Sequence, residues 1–431
     1  MNVTGRELPP VSLVVPFFIA APLALLLASI AILRTGGEMF LSSSVPGMVA
    51  ATHASVLGWL TLSIMGAIYQ LGPATMGGRL WSVGVARTQF VLHVSGVVIF
   101  VIAVERWDVA WMSIAGSLVL TSFLLFTTNA VTAVRWSLRG QAARRYISVA
   151  LGFLLAVGML GITYVGTLEH AWFPITMGRL AGHAHLGLIG WLALAVMGAS
   201  YQVVPMFQLS HTAKPRFETP ALIVTSVATV IGVTWLMTDP NSTIRILIAL
   251  AFAAGPLLWA ADMLAFVRLR ARRTPDIQLR GTVVSLAFLG VTVVLGLLAA
   301  WGGWEPARVQ VAYAVAGIAG WAGTTLVANS FKIVPFLVWF SRYRSEAGVR
   351  PVPMLADLTS PLVMNTVLAV HGGSTAFLSI AILLGNLNLV HTAAALLGLS
   401  GAAHFLALLA IVVRHPAPRG SASAFQGGVS R

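Results

Sequence analysis

Apolar residues run along this chain in long uninterrupted stretches, and short segments between the stretches carry nearly all of its charge. Spanning the hydrocarbon core of a bilayer takes roughly 20 apolar residues as a helix. Twelve runs meet that length, at about 11–33, 47–72, 84–104, 109–133, 147–168, 181–205, 219–238, 244–267, 281–301, 310–338, 358–383 and 388–413. The fold class expected is therefore an all-α polytopic membrane protein occupying residues 1–431 as a single twelve-helix domain.

The pattern also repeats. One run contains Gly58-Trp59 followed by Tyr69-Gln70-Leu71-Gly72-Pro73, and another contains Gly190-Trp191 followed by Tyr201-Gln202-Val203-Val204-Pro205. A third has Gly320-Trp321 and Phe331-Lys332-Ile333-Val334-Pro335, with the same spacing from Gly-Trp to Pro. The last run of each group ends alike, in Ala133-Val134-Arg135, Phe266-Val267-Arg268 and Val412-Val413-Arg414. Three four-helix repeats, at about 11–135, 147–268 and 281–414, follow from this register. An even number of spans per repeat gives every copy the same orientation, so the symmetry axis should stand along the membrane normal. Gly58 and Gly66, like Gly190 and Gly198, lie eight residues apart, near one helix face, where small residues admit a neighbouring helix or a flat cofactor. Trp59, Trp191 and Trp321 read as interfacial anchors.

Composition agrees with this reading: 58% of the 431 residues are hydrophobic and only 9% are charged, too apolar for a soluble globular protein. The net charge of +14 would suggest a nucleic-acid partner in a soluble chain. Here its distribution follows the sidedness rule for membrane loops instead. Arg135, Arg139, Arg144 and Arg145 follow the fourth run, Arg268, Arg270, Arg272, Arg273 and Arg280 the eighth, and Arg342, Arg344 and Arg350 the tenth. The alternate loops are near neutral or acidic, as at Glu105, Asp108, Asp239 and Glu305. Both termini are expected on the cytoplasmic side of a bacterial inner membrane, with no nucleic acid bound. No small-residue cleavage site follows the first apolar run, so 11–33 is expected to be a retained helix. The stretch 416–431, rich in Pro, Gly, Ser and Ala, reads as a disordered tail. The absence of cysteine excludes disulfides, thiolate metal centres, iron–sulfur clusters and covalent haem attachment within this chain.

Ionisable residues inside apolar runs are the candidate chemistry, because lipid offers them no partner. His53, His183 and His185 fall in the outer parts of the second and sixth helices, and the repeat register superposes His185 on His53. Two histidines at one depth on two helices of like orientation can face each other across a haem, each giving one axial nitrogen. His183 and His185 are two apart and point about 200° from each other around an α-helix, so each serves a different inter-helix space. His183 is then free to ligate a second haem or a metal. His391, at the start of the last helix, is a further metal candidate in the same layer, and His371, beside Gly372 and Gly373, a further cofactor contact. His170 reads as solvated beside Glu169, while His93 and His404 lie deeper. Asp262 and Lys332, each costing about 2.5–3.5 kcal/mol if isolated at a helix centre, are expected to face water or each other. Proton uptake is the functional reading of that pair, and a structural ion pair the plainer one.

Three four-helix units with outer-layer histidines on the second and sixth helices resemble the catalytic subunit of the haem–copper oxidases and nitric oxide reductases. The resemblance implies a low-spin haem ligand at His53 and a ligand to copper or non-haem iron at His183 or His185. It also implies a His-x-His on the tenth helix, where this chain has Tyr313-Ala314-Val315, and a histidine pair on the seventh, where 219–238 has none. A standard oxygen-reducing binuclear centre is therefore not expected, and the chain looks like a distant relative, similar to the twelve-helix haem proteins of the nitric oxide response. The function expected is that of a haem-binding membrane protein, with non-covalent b-type haem and a second haem or copper as further cofactors. It would act in electron transfer or small-gas chemistry, fed by a donor protein or a quinol. The readings from other classes are a transporter or channel with a histidine-lined path, and a cofactor-free assembly or sensor subunit.

Overall fold

The computed structural model describes residues 9–73, 78–135, 140–210, 214–238 and 244–415. The 416–431 tail, Arg139 and Asp239 lie outside them. Twelve helices long and apolar enough to cross a membrane are present: α1 (Val11–Arg34), α2 (Pro46–Leu71), α3 (Val83–Arg106), α4 (Val109–Val134), α5 (Gln141–His170) and α6 (Met177–Gln208), then α7 (Glu218–Met237), α8 (Arg245–Arg268), α9 (Ile277–Trp301), α10 (Pro306–Arg342), α11 (Pro361–Leu384) and α12 (Leu387–Arg414). The chain is thus an all-α, multi-pass membrane protein, and no sheet is present among the described residues.

Several helices outrun their apolar stretches. Apolarity reports where lipid begins, whereas a helix ends where its backbone groups are capped. Thr176 accepts the Arg179 N–H at the head of α6, and Asn386 does the same for the Leu389 N–H at the head of α12. Pro46, Pro306 and Pro361 open α2, α10 and α11, where a missing N–H costs nothing. Gly302 and Gly385, at φ +71° and +67°, close α9 and α11 in the left-handed conformation that glycine adopts freely.

The core sits around α2, α6 and α10. Each has 67% of its central window buried, against 17% for α9, so these three form the centre and the other helices the rim. They are also the least apolar of the twelve. A central helix meets protein rather than lipid, so its polar groups find partners there. At the rim α1 packs against α12, which brings the first helix to the last.

All three central helices change winding at the same register. The π-helical segments Ala54–Thr61, Leu186–Ala193 and Ala316–Gly323 are each 8 residues long, with Gly-Trp at the fifth and sixth positions. They pack against one another. Trp59, Trp191 and Trp321 are buried there, so they are central packing residues and not interfacial anchors. Trp191 donates from Nε1 to Thr61 Oγ1 at 2.9 Å, joining α6 to α2, and Trp59 fills the space left by Gly323 on α10. A Cβ at Gly58, Gly190 or Gly320 would collide with Ala24 of α1, Phe153 of α5 or Phe288 of α9 respectively. The glycines thus serve helix packing.

Buried histidines from neighbouring helices meet a carbonyl within two of the π segments. His93 Nε2 lies 3.0 Å from Leu57 O and its Nδ1 2.9 Å from Ser122 Oγ. His371 Nε2 lies 2.9 Å from Ala319 O and its Nδ1 3.4 Å from Ser400 Oγ. Leu57 and Ala319 occupy the same position in their π segments. α7, which packs on the α6 segment, has no histidine.

On the face that carries the termini, polar ties join the helix ends. Asp262 accepts the Arg216 and Phe217 N–H groups at 2.8 and 2.9 Å and the Tyr201 hydroxyl at 3.0 Å. Lys332 pairs with Asp276 at 2.8 Å rather than with Asp262, because the backbone at the head of α7 already fills the Asp262 carboxylate. Asp276, just outside α9, also receives Arg272 at 2.6 Å and the Leu279 N–H at 3.0 Å. Burial works to raise its carboxyl, but Lys332, the Leu279 N–H and Arg272 outweigh it and hold the group below the usual aspartate range.

Candidate functional site: two cavities beside the histidines of α2 and α6

His53 is the last α-helical residue of α2 before its π segment, and His185 holds the same place in α6. Each ring donates from Nδ1 to the carbonyl one turn back, His53 to Val49 and His185 to Ala181, both at 2.8 Å. A carbonyl can only accept, so the proton is on Nδ1 and Nε2 carries the lone pair. Ligating histidines are commonly held this way, with the far nitrogen fixed by a backbone oxygen.

The two rings nevertheless do not face each other. The ring beside His53 is His183, with centres 6.4 Å apart and planes 26° from parallel. His185 instead stacks on Phe252 of α8 at 4.8 Å and 12°, and Tyr313 of α10 places its hydroxyl 3.3 Å from His185 Nε2. The register explains this. Equivalent residues on helices that surround a common centre point the same way around it, so each meets its neighbour's adjacent position rather than its own counterpart. His183 and Tyr313 are equivalent in that register, which makes His53 with His183 and His185 with Tyr313 the same contact made twice. The corresponding third pair, Val315 with Ala51, is apolar.

Each contact borders a cavity. The first, of about 350 Å³, is lined by His53 and His183 with Phe100, Phe123, Gly158 and Trp191, and reaches Ser43 and Ser44 in the loop before α2. The second, of about 280 Å³, is lined by His185, Tyr313 and Phe252 with Trp235 and Trp321, and by Arg245 at the head of α8. Both lie at or near the 300–1,000 Å³ range typical of small-molecule sites. His185 and Tyr313 border both. No residue of α2, α6 or α10 beyond Leu57, Ala193 or Ala322 lines either cavity, so both end at the π-helical layer. His183 Nδ1 is buried without a hydrogen-bond partner, which leaves that ring, alone of the three, with a buried nitrogen unanswered by protein.

Other described histidines lie elsewhere. His371 has both nitrogens engaged by Ala319 O and Ser400, and faces Trp59 rather than a cavity. His391 turns Nε2 to Thr35 O at 3.0 Å and lines neither cavity. His404 meets Ser330 at 2.7 Å, and His170 is exposed beside Glu169 and Trp172. No group of three or more His, Cys, Asp or Glu side chains suited to a metal ion occurs among the described residues. Sequence reasoning passed over Tyr313 as a partner of His185, and over His93 and Ser122 as counterparts of His371 and Ser400. The signal was present: the histidines are the eleventh residues of α3 and α11 and the serines the fourteenth of α4 and α12.

Comparison with known proteins found no protein-family model that matches the chain and no curated protein that matches it.

Proposed function

We propose that this chain is a haem-binding membrane protein acting in electron transfer or small-gas chemistry, with a b-type haem in the cavity between α2 and α6. His53 and His183 would hold the iron. The observation that carries the reading is their 6.4 Å ring separation at the wall of one apolar cavity. Two imidazoles on opposite sides of one metal ion, with bonds of roughly 2 Å, stand about 6 Å apart between ring centres. The backbone-bound Nδ1 of His53 supports ligation through Nε2. Gly158 and Gly161 on α5 remove side chains from the cavity wall, which suits a flat ligand. Bound there, haem would supply a one-electron centre, and an imidazole on each face favours electron transfer over gas binding.

The same reading takes the chain as a divergent relative of the haem–copper oxidase catalytic subunits, with three four-helix units around an axis along the membrane normal. The arginine-rich terminal face would be cytoplasmic in a bacterial inner membrane. A transporter would need a polar path, and against that reading the cavities are largely apolar and stop at the buried Trp layer.

The test is an absorption spectrum with metal analysis on purified protein, before and after haem is added. We expect a Soret band with one iron per chain, lost in His53→Ala and in His183→Ala and kept in His371→Ala. A colourless protein that takes up no haem, or a band unaffected by both substitutions, would rule the assignment out.

A further inference from the structure

The second cavity differs in chemistry from the first. Only one imidazole faces it, and the Nε2 lone pair of His185 is met by a hydroxyl, that of Tyr313, at 3.3 Å. The pair therefore offers one acceptor and one donor side by side on an otherwise aromatic and aliphatic wall. Phe252 stacks on the His185 ring at 4.8 Å, so an aromatic ring borders the cavity beside the polar pair. A second polar tier, Arg245 and Gln310, borders the cavity nearer the helix heads. Gln310 precedes Tyr313 by three residues, which is about 4.5 Å along a helix, so the two tiers are separated by roughly the width of one aromatic ring.

The route in is equally particular. Ala249 and Ala253 of α8 and Gly296 and Ala300 of α9 line the cavity, so its wall there is thin. The outer faces of the same two helices present Leu250, Leu257, Val291 and Val294, all exposed and of the kind that lipid covers. A ligand entering between these two helices would come from the bilayer.

A neutral, lipid-soluble ring with an oxygen at each end matches these features. We infer that the second cavity binds the head group of a quinone or quinol, one oxygen accepting from the Tyr313 hydroxyl and, in the quinol, donating to His185 Nε2, and the other oxygen toward Arg245 and Gln310. The ring lies along Phe252. This site does not rest on the haem reading, since quinone binding requires no iron.

Purified full-length chain in detergent is irradiated with a photoreactive azido derivative of a short-tail ubiquinone, and adducts are mapped by mass spectrometry. Saturable labelling is expected within the helices that line the cavity, Met177–Gln208, Glu218–Met237, Arg245–Arg268, Ile277–Trp301 and Pro306–Arg342, competed by unlabelled short-tail ubiquinone. Tyr313→Phe, which removes only a hydroxyl, should weaken that competitor by about tenfold, the size of one lost hydrogen bond. Ala253→Trp, which fills the cavity, should abolish labelling; thermal unfolding of both variants confirms that they fold. Labelling that never saturates, saturable labelling on other helices, or affinity unchanged in both variants overturns the proposal. So does a protein with two haems per chain that loses one in His185→Ala, because that makes the cavity a second haem site. A haem-free protein that still shows saturable, variant-sensitive labelling sustains this site while refuting the haem reading.

Discussion

Thr61 shows how much a single hydroxyl decides at the centre of this protein. The Trp191 indole is fully enclosed, and its N–H has Thr61 Oγ1 as its partner at 2.9 Å. A buried donor without an acceptor costs about 1–3 kcal/mol, more than the bond contributes when made. Thr61→Val keeps the shape and removes the acceptor, so we expect thermal stability in detergent to fall by about that amount. Thr61→Ser keeps the acceptor and should lose much less; equal losses in the two variants would mean that packing, not the hydrogen bond, sets the cost. The same asymmetry governs the histidines. His93 and His371 have protein partners at both nitrogens, as does His185 at the border of its cavity, whereas His53 gives one nitrogen to the backbone and lines a cavity with the rest of its ring.

At the level of elements, the π segments of α2, α6 and α10 organise the interior. Each carries its Gly-Trp pair in the core, and in two of them a neighbouring helix bonds to a backbone carbonyl. α3 and α11 answer with histidine, and α4 and α12 support those rings with serine. Ser122→Ala and Ser400→Ala should therefore act alike, each lowering stability by roughly 0.5–1.5 kcal/mol, the range for inter-helix hydrogen bonds within folded membrane proteins. The two serines bond to different histidines, which implies additive effects in the double variant. Unfolding midpoints of the two single variants and the double one measure this, and strong non-additivity would show that the two sites are coupled through the centre.

Across the whole molecule, the terminal face is tied together by charges that bridge distant parts of the chain. Asp276 joins the head of α9 to Lys332 of α10, and Gln208 at the end of α6 donates to it at 3.3 Å. Its carboxyl is held low, so the stabilisation it contributes is complete above the ordinary aspartate value of about 3.9 and is lost as pH falls through the lower folded value. Asp276→Asn should lower the unfolding temperature at neutral pH and flatten its decline below about pH 4. A variant that declines in acid as steeply as the unsubstituted chain would remove Asp276 from that role. On the other face, the loops before α2 and the heads of α6 and α10 surround the first cavity, so loops distant in sequence meet at one mouth.

What the sequence determined by itself was the set of spans, the even number that returns both termini to one face, and the register that links Gly58-Trp59, Gly190-Trp191 and Gly320-Trp321. These are legible because lipid imposes length and apolarity on every span, and because a repeat is written in the residues themselves. The histidine depths were legible for the same reason. The pairing was not. Register tells which residues are equivalent, but helix rotation and neighbour order tell which ones touch, and those follow from packing around α2, α6 and α10. Only the tertiary structure therefore turned His183 toward His53, His185 toward Tyr313, Lys332 toward Asp276, and the tryptophans from the membrane surface to the core.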